Sequence, residues 1–217
     1  IVYDVDRIRD GIRSTTRRVK AIQHGEAIFS MSASFQVEEP GFDHQDEMPK
    51  VPGPEGLERE IDGARRLAER IPAGIREKLL CRKPIEIRHV NPVDPFGPAK
   101  KAPVKYVWFK AIDTMPDDPT AQQYMLAYAS DFNLVATTLY PHGYTFWQPE
   151  MQVASLDHAM WYHREVRMDE WLLYAMQSPS AGKARGLAIG RIFTRDGKLV
   201  ATVAQEGLIR YRGPQNA

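Results

Sequence analysis

From Asp118 to Pro141 the chain reads DPTAQQYMLAYASDFNLVATTLYP, in which Tyr124, Ala127, Tyr128, Asp131, Leu134, Val135 and Thr138 recur at three- and four-residue steps. The spacing predicts one long helix with Asp118 as N-cap, Pro119 in its first position and an end near Tyr140. A carboxylate, Asp131, stands at the centre of its apolar stripe. Period-two patterns predict strands elsewhere. Before residue 38 these are IVYDVDRI, TTRRVKAI and AIFSMSASF, the last two joined by a turn at Gly25. IEIRHVN and VKYVWFKAI precede the helix; MQVASLDHAMWYHR, EWLLYAM, KARGLAIGRIFTR and KLVATVAQEGLIRYR follow it, the last pair joined by an Asp-Gly hairpin turn. Residues 38–84 shift to proline, glycine and charge, with one helix predicted over GLEREIDGARRLAERI, and read as a linker packed on the surface.

The two halves repeat in pattern. IVYDV matches LLYAM at Leu172 to Met176, Gly11 falls opposite Gly182, and the hairpin around Gly25 aligns with the hairpin around Gly197. Residues 85–170, helix included, stand ahead of LLYAM, whereas nothing stands ahead of IVYDV. The expected organisation is the later part of a first domain over 1–37, a linker with a short helix over 38–84, and a complete second domain over 85–217. The first domain is thus expected to lack its opening strands and its helix.

Bulk composition changes this picture only by exclusion. The 217 residues are 43% hydrophobic, enough for a sizeable core, and 29 basic against 28 acidic residues give a formal charge of +1. That balance points to no nucleic-acid partner. No apolar run reaches membrane-spanning length, so no membrane insertion is expected, and one cysteine, Cys81, fits a reducing compartment. Phosphate-binding glycine loops, zinc-ligand spacing and dinucleotide fingerprints are absent, so no cofactor is expected.

Three polar residues intrude on apolar faces. Asp131 in its helix either ties that helix to neighbouring backbone or performs chemistry. In KLVATVAQEGLIRYR the alternation puts Gln205 in a row with Leu199, Ala201, Val203 and Ile209. A buried amide is usually structural, yet it can orient a water through its donor and its acceptor. Ser155 shares a strand face with Val153 and Asp157. A serine triad of Ser155, Asp157 and His158 is rejected, because strand neighbours point apart and no nucleophile elbow is present. His158 and His163 read as structural or surface residues. Met151, Met160, Met168 and Met176, with Trp161 and Trp171, read as core filling, with the lining of an acyl tunnel as the alternative. Arg17, Arg18, Arg185 and Arg191 read as solvated strand edges, with phosphate contact as the lesser alternative.

YASDFN, SLDHAMWYH, EWLLY, SPSAGKARG and VAQEGLIR, in this order and spacing, resemble the acyl-CoA thioesterase II family, whose chains carry two hot-dog domains in tandem. The resemblance covers essentially the whole chain. It implies an α+β double hot-dog in which antiparallel sheets each wrap a long helix, and hydrolysis of fatty acyl-CoA to fatty acid and CoA. It also implies that Asp131, Ser155 and Gln205 hold the attacking water, with serine where bacterial relatives often carry threonine. A homo-oligomer, dimer or tetramer, is expected on the same ground. The expected location is cytoplasmic, or peroxisomal in a eukaryote, although the C-terminal GPQNA is not a Ser-Lys-Leu signal. The competing expectation is a non-catalytic acyl-CoA-binding hot-dog module; a dehydratase of the same fold lacks a suitable helical histidine.

Overall fold

The structure is a computed structural model and describes residues 1–71, 76–77 and 80–214. The chain forms two units, Ile1–His44 and Gln45–Ala217. The first is an antiparallel sheet of β1 (Val2–Asp10), β2 (Ser14–Gln23) and β3 (Glu26–Gln36) in that order, with Val5 opposite Val19 and Val19 opposite Met31. His24 and Gly25 both take positive φ, 52° and 82°, which matches the twist of a two-residue hairpin. Ala21 is the one buried side chain among the described residues of this unit; Val5, Phe29, Met31 and Phe35 are exposed.

The second unit is built on an antiparallel sheet in the order β4 (Ile85–His89), β5 (Val104–Ala111), β8 (Leu172–Gly182), β9 (Arg185–Thr194), β10 (Leu199–Tyr211) and β6 (Met151–Ser155); β7 (Ala159–Tyr162) also pairs with β10. The predicted strand MQVASLDHAMWYHR is therefore interrupted at 156–158. There Leu156 N and Asp157 N both donate to Glu206 O, and Asp157 Oδ1 accepts from Glu206 N at 2.7 Å. A short helix, α1 (Glu60–Arg66), and a 3₁₀ turn (Ala68–Arg70) precede the sheet.

The predicted long helix is two helices. α2 (Pro119–Ser130) starts as expected, with the Asp118 carboxylate accepting from Thr120 N at 2.9 Å. It ends ten residues earlier than expected. Asp131 is its C-cap, Asn133 adopts a left-handed φ of 69°, and the chain resumes as a 3₁₀ helix over Val135–His142. The local chemistry accounts for the break: asparagine tolerates the left-handed region, and Thr137 and Thr138 turn their hydroxyls onto the Asn133 and Val135 carbonyls.

The expected apolar stripe is also on the wrong side. Tyr124, Ala127, Tyr128 and Asp131 are exposed, Tyr124 to 70%, while α2 buries Gln122, Leu126, Ala129 and Ser130. α2 carries apolar residues on more than one side, and the polar groups on its buried side are satisfied. Gln122 donates to Pro116 O and accepts from Met168 N, and Ser130 Oγ donates to Ala127 O. Spacing alone could not choose between two such faces.

The core lies between α2, the 3₁₀ helix and one face of the sheet, where Leu126, Ala129 and Leu134 meet Val107, Phe109, Met176, Ile192, Ala201 and Val203. Glycines allow the closest approach: a Cβ at Gly207 would lie 2.5 Å from Val135 Cγ1, and one at Gly186 2.6 Å from Thr138 Cβ. On the opposite face Trp108, Leu173, Phe193 and Leu199 are covered by Met48, Val51 and Leu57, and Trp108 Nε1 donates to Pro52 O at 2.7 Å. Met168 and Met176 fill the core as expected, but Trp161 is exposed. Among the described residues no helix is long and apolar enough to cross a membrane.

Candidate active site

Two of the three intruders meet. β10 alternates faces, so Gln205 points to the core in the same row as Ala201 and Val203, and it is 1% exposed. The end of α2 delivers Asp131 to it, and Gln205 Nε2 donates to Asp131 Oδ1 at 2.6 Å. An amide in an apolar row thus finds a carboxylate acceptor. Its own carbonyl, Gln205 Oε1, is buried and has no hydrogen-bond partner among the described residues. Asp131 is not mid-helix in a buried stripe, as its spacing suggested, but exposed at a helix end.

Ser155 ends β6 directly opposite Gly207, two residues along β10 from Gln205. It lines the same cavity as Asp131, a volume of about 1060 Å³ whose wall also includes Val153, Phe132, Leu134 and Tyr140. The wall is mostly apolar, with Asp131 and Ser155 placed in it. Among the described residues Ser155 forms no direct bond to Asp131 or Gln205. The rejection of a serine triad holds, though for a different reason from strand alternation. Asp157 accepts from Glu206 N, while His158 Nε2 lies 2.8 Å from Ser130 Oγ.

That last contact is one the sequence did not offer. Ser130 Oγ already donates its single proton to Ala127 O at 2.8 Å, so His158 Nε2 must be the donor to it. Burial holds the His158 pKa below the usual imidazole value, against the charges of Asp131 and Asp157, which favours a neutral ring protonated on Nε2. From the other side, Tyr174 OH donates to Ser130 O at 2.7 Å, and burial pushes its phenol pKa up so that it stays a donor. His158 and Tyr174 therefore clamp the residue immediately before Asp131. The signal available in the sequence was a small hydroxyl beside the aspartate and a histidine just after an interrupted strand. Reading that strand as continuous hid it.

In the same cavity wall Glu60 accepts from Lys83 Nζ and His89 Nε2, both at 3.0 Å, and Lys105 Nζ donates to Asn133 Oδ1. Burial alone would raise the Glu60 pKa, but the His89 hydrogen bond and the Lys83 charge outweigh it and hold it down at about 2. Among the described residues no group of three or more His, Cys, Asp or Glu side chains is placed to hold a metal. The arrangement offers a carboxylate beside a fixed amide at the wall of an apolar cavity, which is what activation of a small nucleophile against an acyl group requires.

Comparison with known proteins points the same way. The family model described as acyl-CoA thioesterase matches residues 76–208. The chain is 43% identical over 211 residues to acyl-CoA thioesterase 2 of Haemophilus influenzae, covering 97% of this chain and 74% of that protein. It is 39% identical to human acyl-coenzyme A thioesterase 8, covering 98% of this chain and 68% of the relative. The crystal structure of the acyl-CoA thioesterase II TesB2 from Mycobacterium marinum superposes with a TM-score of 0.77 at 43% identity, over 99% of this chain and 75% of that one. A hot-dog protein from Alicyclobacillus acidocaldarius, only 17% identical, superposes at 0.74 over 98% of this chain and 73% of that one, and shows the fold alone.

Proposed function

The chain belongs to the acyl-CoA thioesterase family, and from that premise we propose that it hydrolyses fatty acyl-CoA to free fatty acid and CoA through a water held by Asp131, Ser155 and Gln205. The observation that carries the reading is the Gln205–Asp131 bond together with the unpartnered Gln205 Oε1. A water accepting from neither group but donating to both would satisfy Oε1 and sit against the carboxylate. The Ser155 hydroxyl then supplies a donor or acceptor from the cavity wall.

In the reaction the water gives a proton to the Asp131 carboxylate as its oxygen bonds to the thioester carbonyl carbon, and the carbonyl electron pair moves onto oxygen. Collapse of that tetrahedral adduct breaks the C–S bond. The sulfur leaves with the electron pair and takes up the proton from Asp131, giving CoA thiol and fatty acid. No acyl-enzyme is formed. The exposed carboxylate suits this role, because the base must reach the substrate's reacting centre, while Gln205 fixes its orientation from the core. On this reading 85–217 is the catalytic domain, after a linker over 38–84 and a first-domain segment over 1–37. A cytoplasmic homo-oligomer, dimer or tetramer, accompanies it.

Single-turnover hydrolysis of palmitoyl-CoA in ¹⁸O-labelled water tests the proposal. One labelled oxygen in the released fatty acid, with the intact protein mass unchanged after quenching, is the expected outcome. A protein heavier by one acyl group would replace the direct attack with a covalent route, and no thiol release at all would overturn the activity.

A further inference from the structure

Lys105 is a cation in a hydrophobic row. It lies on β5 on the same face as Val107, Phe109 and Ala111, which pack into the core under α2, and is 5% exposed. Burying an ammonium is costly unless a counter-charge or several acceptors meet it. Among the described residues Lys105 Nζ has one acceptor, Asn133 Oδ1 at 2.5 Å, and the ring of Tyr140 lies 5.9 Å away. Glu60 on α1 is the carboxylate whose charge reaches it, but the Glu60 oxygens bond Lys83 and His89 instead. Burial accordingly pushes the Lys105 pKa down to about 8, with Glu60 opposing the shift. An ion pair therefore does not explain this lysine.

Its one bond goes to the residue on which the site turns. Asn133 holds the left-handed φ between the C-cap Asp131 and the 3₁₀ helix that starts after Leu134, and its carbonyl accepts from Thr137 Oγ1 at 3.3 Å. Asp131, Asn133 and Lys105 all line the same cavity. We propose that Lys105 is a positioning residue for the thioester hydrolysis: by holding the Asn133 side chain it fixes the turn that presents Asp131 to Gln205. Lys105 acts through Asn133 and touches no reacting atom. The inference rests on the reading of Asp131 as the group beside the water.

The test compares the full chain with Lys105→Met, Asn133→Gly, Asn133→Asp and the Lys105→Met/Asn133→Gly double variant, by hydrogen exchange and by steady-state thiol release. Glycine keeps the left-handed backbone and loses only the anchor, so it carries the test if Lys105→Met does not fold. Lys105→Met and Asn133→Gly should each speed exchange in peptides spanning 131–137 and leave those of β8 to β10 unchanged. Each should lower kcat by about tenfold or more with KM within about threefold. The double variant should lose no more than the worse single one, since both remove one contact. Asn133→Asp keeps an oxygen acceptor and tolerates the turn, so it should stay within about threefold of the parent kcat. Faster exchange with unchanged kcat would reduce Lys105 to a strut, and unchanged exchange or multiplying losses would remove the coupling; each result overturns the proposal. If the parent chain releases no thiol, the activity reading fails, while exchange at 131–137 still decides whether the anchor exists.

Discussion

The meander β1-β2-β3 and the meander β8-β9-β10 have the same connectivity, and both make a hairpin turn on a glycine with positive φ, Gly25 at 82° and Gly197 at 92°. Their burial differs sharply. In the first, Ile28, Phe29, Met31 and Phe35 lie exposed; in the second, Val200, Ala201, Val203 and Gln205 are inaccessible or nearly so. What separates them is a helix, since α2 and the following 3₁₀ helix cover the second sheet's inner face. Strand pattern and turn chemistry suffice to make a twisted meander. A core, and a site inside it, need the element laid across that face. Aligning Gly25 with Gly197 sets Ala33 opposite Gln205, so the amide that reaches a carboxylate occurs only where a helix end is present to bring one.

This contrast can be broken at several strengths. The largest expected effect is on stability: Leu126→Ala removes a fully buried side chain of α2 and should cost about 3 kcal/mol in urea unfolding of the second unit. A loss below about 1 kcal/mol would mean that the helix does not close this core. Next comes Gln205→Ala, which strips Asp131 of its partner and should lower kcat by about 10- to 100-fold while acyl-CoA binding holds. Parent-like turnover there would make Gln205 a structural amide only.

Gly207→Ala probes the approach of the 3₁₀ helix directly. Its Cβ would meet Val135 at 2.5 Å, so a destabilisation of about 1–3 kcal/mol is expected, and a neutral result would show that the helix can back away. Smallest is Phe29→Ser on the first meander, expected to stay within about 0.5 kcal/mol because the side chain is already exposed. A larger loss would show that this face is covered in solution.

The sequence disclosed the strands and their turns better than it disclosed the helix. β10 was readable because its burial alternates from Ala201 onward, and Gln205 stood out as the exception in that row, although an irregularity between Leu199 and Ala201 puts Leu199 on the other face, not in the row expected of it. α2 was harder. Its outward Tyr124 and Tyr128 mimic a core stripe, its buried Gln122 and Ser130 mimic a polar face, and each of those two is satisfied by bonds that spacing does not reveal. Asn133, with Thr137 and Thr138 after it, carried the local hint of the break that moves Asp131 from mid-helix to a helix end. Lys105 was beyond reach, since its contact with Asn133 spans 28 residues along the chain, and the equally distant contact of His158 with Ser130 was hidden by reading its strand as continuous.

The most direct test of the account is Asp131→Asn, measured in parallel for thiol release from palmitoyl-CoA and for acyl-CoA binding. Asparagine keeps an oxygen for Gln205 Nε2 and removes the base, so kcat should fall by about 10²–10⁴-fold with binding nearly unchanged. Near-normal turnover in a folded Asp131→Asn chain would contradict the assignment of Asp131 as the group that activates the water.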